Sequence, residues 1–140
     1  MRFLRNSIMK KIILFVIFLV SGIISIAQTT PSQSGPAIKL AETSHDFGDI
    51  YQGEKVSYIY TFTNIGNEPL ILSEVITTCG CTAPSWDKSP VMPGESGEIQ
   101  IVFNSENKMG RQNKGITILS NAINSPARVT IICNILPKKQ

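Results

Sequence analysis

Val56-Ser57-Tyr58-Ile59-Tyr60-Thr61-Phe62-Thr63 decides the architecture. Large apolar side chains recur at 56, 58, 60 and 62, alternating with Ser57, Ile59, Thr61 and Thr63. A period of two in aromatic and β-branched residues turns one face to a core and the other to water, which is a strand and not a helix. Asn64-Ile65-Gly66-Asn67 then supplies turn chemistry, since Asn and Gly tolerate positive φ, and Gly66 is the residue expected to adopt it.

Outward from this stretch the same grammar repeats. Ile38-Lys39-Leu40 opens the pattern, and Phe47 to Tyr51 adds a short segment in which Gly48 is expected to allow close backbone approach. Pro69 to Ile76 reads as another strand. Pro93-Gly94-Glu95-Ser96-Gly97 is a turn that opens onto Ile99, Ile101 and Phe103. Ile116 to Leu119, then Val129, Ile131, Cys133 and Ile135, complete the set. No window has an amphipathic helical period. Short strands separated by Gly, Pro and Asn turns predict an all-β sandwich of two antiparallel sheets, about seven strands in all.

The N-terminal segment reads as targeting and not as fold. Arg2, Arg5, Lys10 and Lys11 precede an unbroken apolar run from Ile12 to Val20, and small residues at Ser25 and Ala27 fit cleavage before Gln28. Met9 is an alternative start. The apolar stretch to Ala27 is 16 residues, short of the roughly 17–25 that span a bilayer. The expected organisation is a cleaved signal helix at 1–27, a flexible leader at 28–37, the sandwich at 38–137 and a tail at 138–140. Export then follows, to the periplasm, the envelope or the outside. After cleavage 9 basic and 10 acidic residues remain, a net charge of −1. The charge balance therefore implies neither nucleic acid nor an anionic membrane surface as partner. The remaining 113 residues are enough for one core, burying roughly 60–70 % of the unfolded surface, with no metal needed for folding.

Thr77-Thr78-Cys79-Gly80-Cys81-Thr82 carries the most specific chemistry. In an oxidising compartment, paired thiols form disulfides. A Cys79–Cys81 bond closes a three-residue loop worth about 1.6 kcal/mol by chain entropy, whereas a bond from either to Cys133 closes over fifty residues, worth about 4 kcal/mol. Residues i and i+2 of a strand stand near the upper limit of disulfide span, and a bend at Gly80 would close that gap. Cys133 shares the parity of Val129, Ile131 and Ile135, so it faces the core as a small hydrophobe. Three readings of the pair follow: a structural link, a thiol–disulfide centre, or soft-metal capture of Cu(I) or Zn(II) with His45 or Cys133 completing the shell. Trp86, between Pro84 and Pro90, is read as a loop residue, either a lid over one end of the sandwich or an anchor for a partner.

Four motifs occur in order: His45-Asp46-Phe47-Gly48-Asp49-Ile50, Phe62-Thr63-Asn64-Ile65-Gly66-Asn67-Glu68-Pro69-Leu70, Cys79-Gly80-Cys81-Thr82, and Pro93-Gly94-Glu95-Ser96-Gly97. In these the chain resembles the secreted bacterial Ig-like family catalogued as domain of unknown function family 1573. That family is similar in turn to major-sperm-protein and pilus-chaperone type sandwiches. The resemblance covers about Ile38 to Ile135 and implies an Ig-like fold and export, with no established activity. The chain departs from it at Cys133, where the family usually carries Gly.

With one histidine and no G-x-S-x-G elbow, phosphate loop or dinucleotide fingerprint, the sequence does not read as an enzyme and calls for no cofactor. The expected function is an exported binding or structural module whose partner is another envelope protein, docked by strand addition to a sheet edge. The alternative is a thiol-redox or soft-metal-handling protein built on Cys79 and Cys81.

Overall fold

The computed structural model describes residues 34–139. The expected signal helix, and the leader up to residue 33, lie outside the described residues. Eight strands form: β1 Ile38–Leu40, β2 Ser44–Tyr51, β3 Lys55–Asn64, β4 Leu72–Thr77, β5 Thr82–Trp86, β6 Ser96–Asn104, β7 Gly110–Ser120 and β8 Ala127–Leu136. They make two four-stranded sheets, β1-β3-β6-β5 and β2-β8-β7-β4. The all-β sandwich expected from alternation, and the Ig-like fold implied by the resemblance, are the fold observed.

The core follows from that alternation. Tyr60 and Phe62 of β3, with Ile99, Ile101 and Phe103 of β6, meet Ile116 and Ile118 of β7 and Val129, Ile131, Cys133 and Ile135 of β8. β4 breaks the period: Leu72 and Val75 are both buried although three residues apart. A register shift between Leu72 and Glu74 restores the inward phase.

Three details differ from the sequence reading. β2 pairs with β8 in parallel, while the other ladders are antiparallel. No hairpin joins β2 to β8, so chain connectivity leaves their relative direction free. A strand beyond the seven expected, β5, occupies Thr82–Trp86 and ends on Trp86, a residue expected in a loop. The end of the leader is also part of the sandwich, since Gly35, Pro36 and Ala37 are buried.

The two motif glycines exchange their expected roles. Gly48 takes φ 66° with open space around it. It makes a bulge that shifts the β2 register between Asp46 and Asp49. Gly66 has no positive φ; a Cβ there would strike the backbone of Gly35 and Ala37. Close approach, not turn conformation, is what requires glycine at 66.

Asn64 is the polar centre of the same region, fully buried at the end of β3. Its Oδ1 accepts from Ala37 N at 3.3 Å and Gly66 N at 3.0 Å. Its Nδ2 donates to Glu68 O at 2.8 Å and Val91 O at 2.9 Å. Its own backbone bonds Glu95 O and Gly94 N. One side chain therefore joins the N-terminal entry, the turn after β3 and the segment before β6. Asn64→Ala leaves several buried groups unpaired, each costing about 1–3 kcal/mol. The melting temperature is expected to fall by roughly 10 °C or more, as calorimetry would measure.

Tyr60 ties the two sheets: its hydroxyl, carried by β3, donates to Thr130 O of β8 at 2.8 Å. Burial, and secondarily the charge of Glu42, push its pKa up to about 12, against a lowering by the backbone near His45. The folded state therefore holds this proton more tightly than the unfolded chain. The contribution is complete below about pH 10, the ordinary tyrosine value, and is lost as pH rises toward about 12. Alkaline titration followed by circular dichroism should show destabilisation in that window, with Tyr60→Phe flattening that part of the profile while lowering stability at neutral pH.

Candidate functional site

The two sheets exchange the chain between β4 and β5, and the cysteine pair lies at this crossing. Cys79 and Cys81 are disulfide-bonded with Cα atoms 5.2 Å apart. That is less than the roughly 6.4–6.8 Å of two extended residue steps, so the chain bends at Gly80. Both cysteines are half-buried and Gly80 is exposed. Cys81 packs against the core cluster. Thr77 Oγ1 bonds Cys79 O at 3.1 Å and Thr82 O at 3.3 Å. Thr82 N donates to Cys79 O at 3.3 Å, and Asn104 N donates to Cys81 O at 2.9 Å. The turn is thus held by hydrogen bonds as well as by sulfur. Thr82 is itself 5 % exposed, and its Oγ1 lies 3.6 Å from Cys79 Sγ and 3.9 Å from Cys81 Sγ.

Cys133 does not join the pair. It is a free, buried thiol on β8, pushed up in pKa by burial and then by Asp46, with Lys114 acting in the opposite sense. His45 stacks on Tyr58 with ring centroids 3.5 Å apart and meets Phe47 edge-on at 4.7 Å. Among the described residues no group of three or more His, Cys, Asp and Glu side chains is assembled to hold a metal ion. The shell envisaged from Cys79, Cys81 and His45 or Cys133 is therefore not brought together; His45 belongs instead to an aromatic cluster between β2 and β3.

Trp86 ends β5 in place of a loop. Its indole is half-buried, packs against the core and donates from Nε1 to Leu72 O at 3.4 Å. Lys88 Nζ lies 5.9 Å from the ring centre. Beyond it, Ser89 N donates to Asp87 Oδ1 at 2.8 Å, and the Ser89 hydrogen bonds hold the Asp87 carboxyl below its ordinary pKa.

The sheet edges bear directly on docking by strand addition, and four of them carry a device against it. On β1, the outward N and O of Ile38 are both taken by the Asn124 side-chain amide, at 3.0 and 2.8 Å. On β5, the Asn104–Cys81 bond turns the backbone groups of Thr82, Pro84 and Trp86 to the free edge. Proline there presents no donor. β2 is kinked by its Gly48 bulge. β4 is tied to β5 by Trp86 at Leu72 and by Thr77 at the turn. The fifth edge is the lower half of β7. β4 stops at Thr77, opposite Ile116, so among the described residues no strand covers Gly110–Gly115 on that side. Sequence reasoning missed this edge because a strand pattern does not show which strand β4 pairs with or in what register; the Cys-Gly-Cys bend was its one visible signal.

These features define a sandwich of the Ig-like, PapD-like class. The chain belongs to the family described as Protein of unknown function (DUF1573), whose pattern matches residues 38–135. Several solved structures share the fold. One is a crystal structure of a protein of unknown function from Porphyromonas gingivalis W83, with TM-score 0.63, 21 % identity and 72 % of this chain covered. The chain spans about half of that structure's length, 47 %. Another is an ASH / PapD-like domain of human CEP192, with TM-score 0.61, 10 % identity, and 83 % of this chain and 99 % of that domain covered. The YadV chaperone gives TM-score 0.50 at 14 % identity, over 70 % of this chain and 51 % of its own. No curated protein matches the sequence.

Trp86→Ala is expected to lower the melting temperature by roughly 8 °C or more, since a half-buried aromatic and the β5-to-β4 link are lost together. Trp86→Phe should recover most of this. Thermal unfolding of the two variants beside the parent checks it.

Proposed function

We propose that this chain is an exported binding module of the cell envelope that takes up an extended segment of a partner protein along the open half of β7. The observation that carries the reading is the contrast between four blunted edges and the uncovered Gly110–Gly115. Main-chain hydrogen bonds from an added strand supply affinity, and side-chain contacts supply selectivity. The basic n-region and apolar run at the N-terminus support export. Two similar structures, the YadV chaperone and a PapD-like domain of human CEP192, support a module that acts on other proteins.

Charge sets the kind of partner. Lys108, Arg111 and Lys114 flank or occupy this edge, with no acid from residue 108 to 115. Lys114 pairs in register with Ile131, on the inward face of β7. Inward and edge lysines oppose pairing with a second copy of the same edge. An acidic segment neutralises them, so the same charges that repel self-association select the partner.

A photo-crosslinking side chain at Asn113, in cells exporting the protein, should yield a discrete adduct that the same group at Ser85 of the β5 edge does not. Lys108→Glu with Arg111→Glu should abolish it without changing the melting temperature by more than about 2 °C, as expected for surface substitutions. Equal adducts from Ser85, or none from Asn113, would overturn the proposal.

A further inference from the structure

The Cys79–Cys81 bond is poorly placed as a staple, and several observations point elsewhere. Its three-residue ring constrains the unfolded chain least of the possible pairings. The turn around it is already fixed by Thr77 Oγ1, Thr82 N and Asn104 N, so opening the ring leaves the sheet crossing held. The third thiol, Cys133, is buried and pushed up in pKa, which keeps it from competing. The Thr82 hydroxyl, nearly enclosed, has the two sulfurs as its side-chain contacts.

We infer that Cys79–Cys81 is a thiol–disulfide exchange centre whose substrate is a dithiol of another exported protein, with Cys79 the attacked sulfur, Cys81 the leaving sulfur and Thr82 the hydroxyl that steadies the thiolate. The direction follows from packing. Cys81 rests on the core cluster and Cys79 does not, so an incoming thiolate reaches Cys79 from the solvent side. In the first step the partner thiolate forms a bond to Cys79 Sγ as the Cys79–Cys81 bond breaks, its electron pair leaving on Cys81. In the second, the partner's other thiolate attacks the partner sulfur of the mixed disulfide and releases Cys79. The partner is oxidised to a disulfide and this protein reduced to a dithiol, the two protons lost by the partner thiols being taken up by Cys79 and Cys81. A hydroxyl donating to a thiolate stabilises the reduced form and the departing charge, as charge-assisted hydrogen bonds do. Thr82 is a positioning residue here, acting through Cys79, the nearer sulfur at 3.6 Å against 3.9 Å for Cys81, as the Cys79 thiolate departs in the second step.

The exchange does not depend on strand docking at β7. The test uses the processed full-length protein in mixtures of reduced and oxidised glutathione, with cysteine state read by alkylation and mass, and fold by circular dichroism. The pair should pass between disulfide and dithiol across these mixtures with an unchanged spectrum. Cys81→Ser should accumulate glutathione on Cys79, while Cys79→Ser accumulates far less on Cys81. Thr82→Val should slow reduction about tenfold, the weight of one hydrogen bond to a charged group, and Thr82→Ser should restore it. A disulfide that resists reduced glutathione, or a sandwich that unfolds when it is reduced, would overturn the inference. A Thr82→Val rate equal to the parent's would overturn the role of Thr82. Lys108→Glu with Arg111→Glu should leave the exchange rate unchanged, so failure at β7 and failure at the sulfurs are read separately.

Discussion

Asn64 carries the part of this sandwich that alternation does not specify. Strands with the right period stack wherever their apolar faces meet, but the loops between them need fixed entry points. A buried amide with two acceptor and two donor positions provides these. Asn64 uses its side chain on Ala37, Gly66, Glu68 and Val91, and no buried side-chain nitrogen or oxygen among the described residues is left without a partner. In a low-dielectric interior such a network is specific because a half-satisfied alternative is expensive. The bareness of Gly66 belongs to the same device, since the N-terminal strand entry lies directly on it.

Around that centre the molecule manages its edges in different ways. A side-chain amide mimics a strand on β1, a proline removes a donor from β5, a bulge kinks β2, and an indole bridges β4 to β5. Each opposes uncontrolled pairing with other chains. The lower half of β7 is handled by charge alone. Charge discriminates between partners where the other devices exclude them all, and that difference is why this edge is the one proposed for docking.

The Cys-Gly-Cys bend links both proposals. By taking the chain out of the second sheet at Thr77, it leaves β7 uncovered below Ile116 and at the same time sets a half-buried sulfur pair at the turn. The hydrogen bonds of Thr77, Thr82 and Asn104 hold the crossing beside the sulfur bond, which is what the proposed exchange requires. The threonine after the second cysteine serves twice, its amide closing the turn and its hydroxyl lying against the sulfurs.

Local pattern alone determined seven of the eight strands, the inward face of those that keep a period of two, and the burial of Cys133, because side-chain direction in a regular strand depends only on parity. Tertiary structure decided the rest. Thr82–Trp86 is a strand because β6 offers it a partner, despite Pro84; β2 runs parallel to β8 because no hairpin dictates otherwise. Gly48 and Gly66 were both recognisable as necessary, yet which one needed an unusual φ and which needed empty space depended on what packs above them. His45 met aromatic rings and not sulfur for the same reason: contacts between distant residues are set by how the two sheets stack, and parity along a single strand carries no information about that.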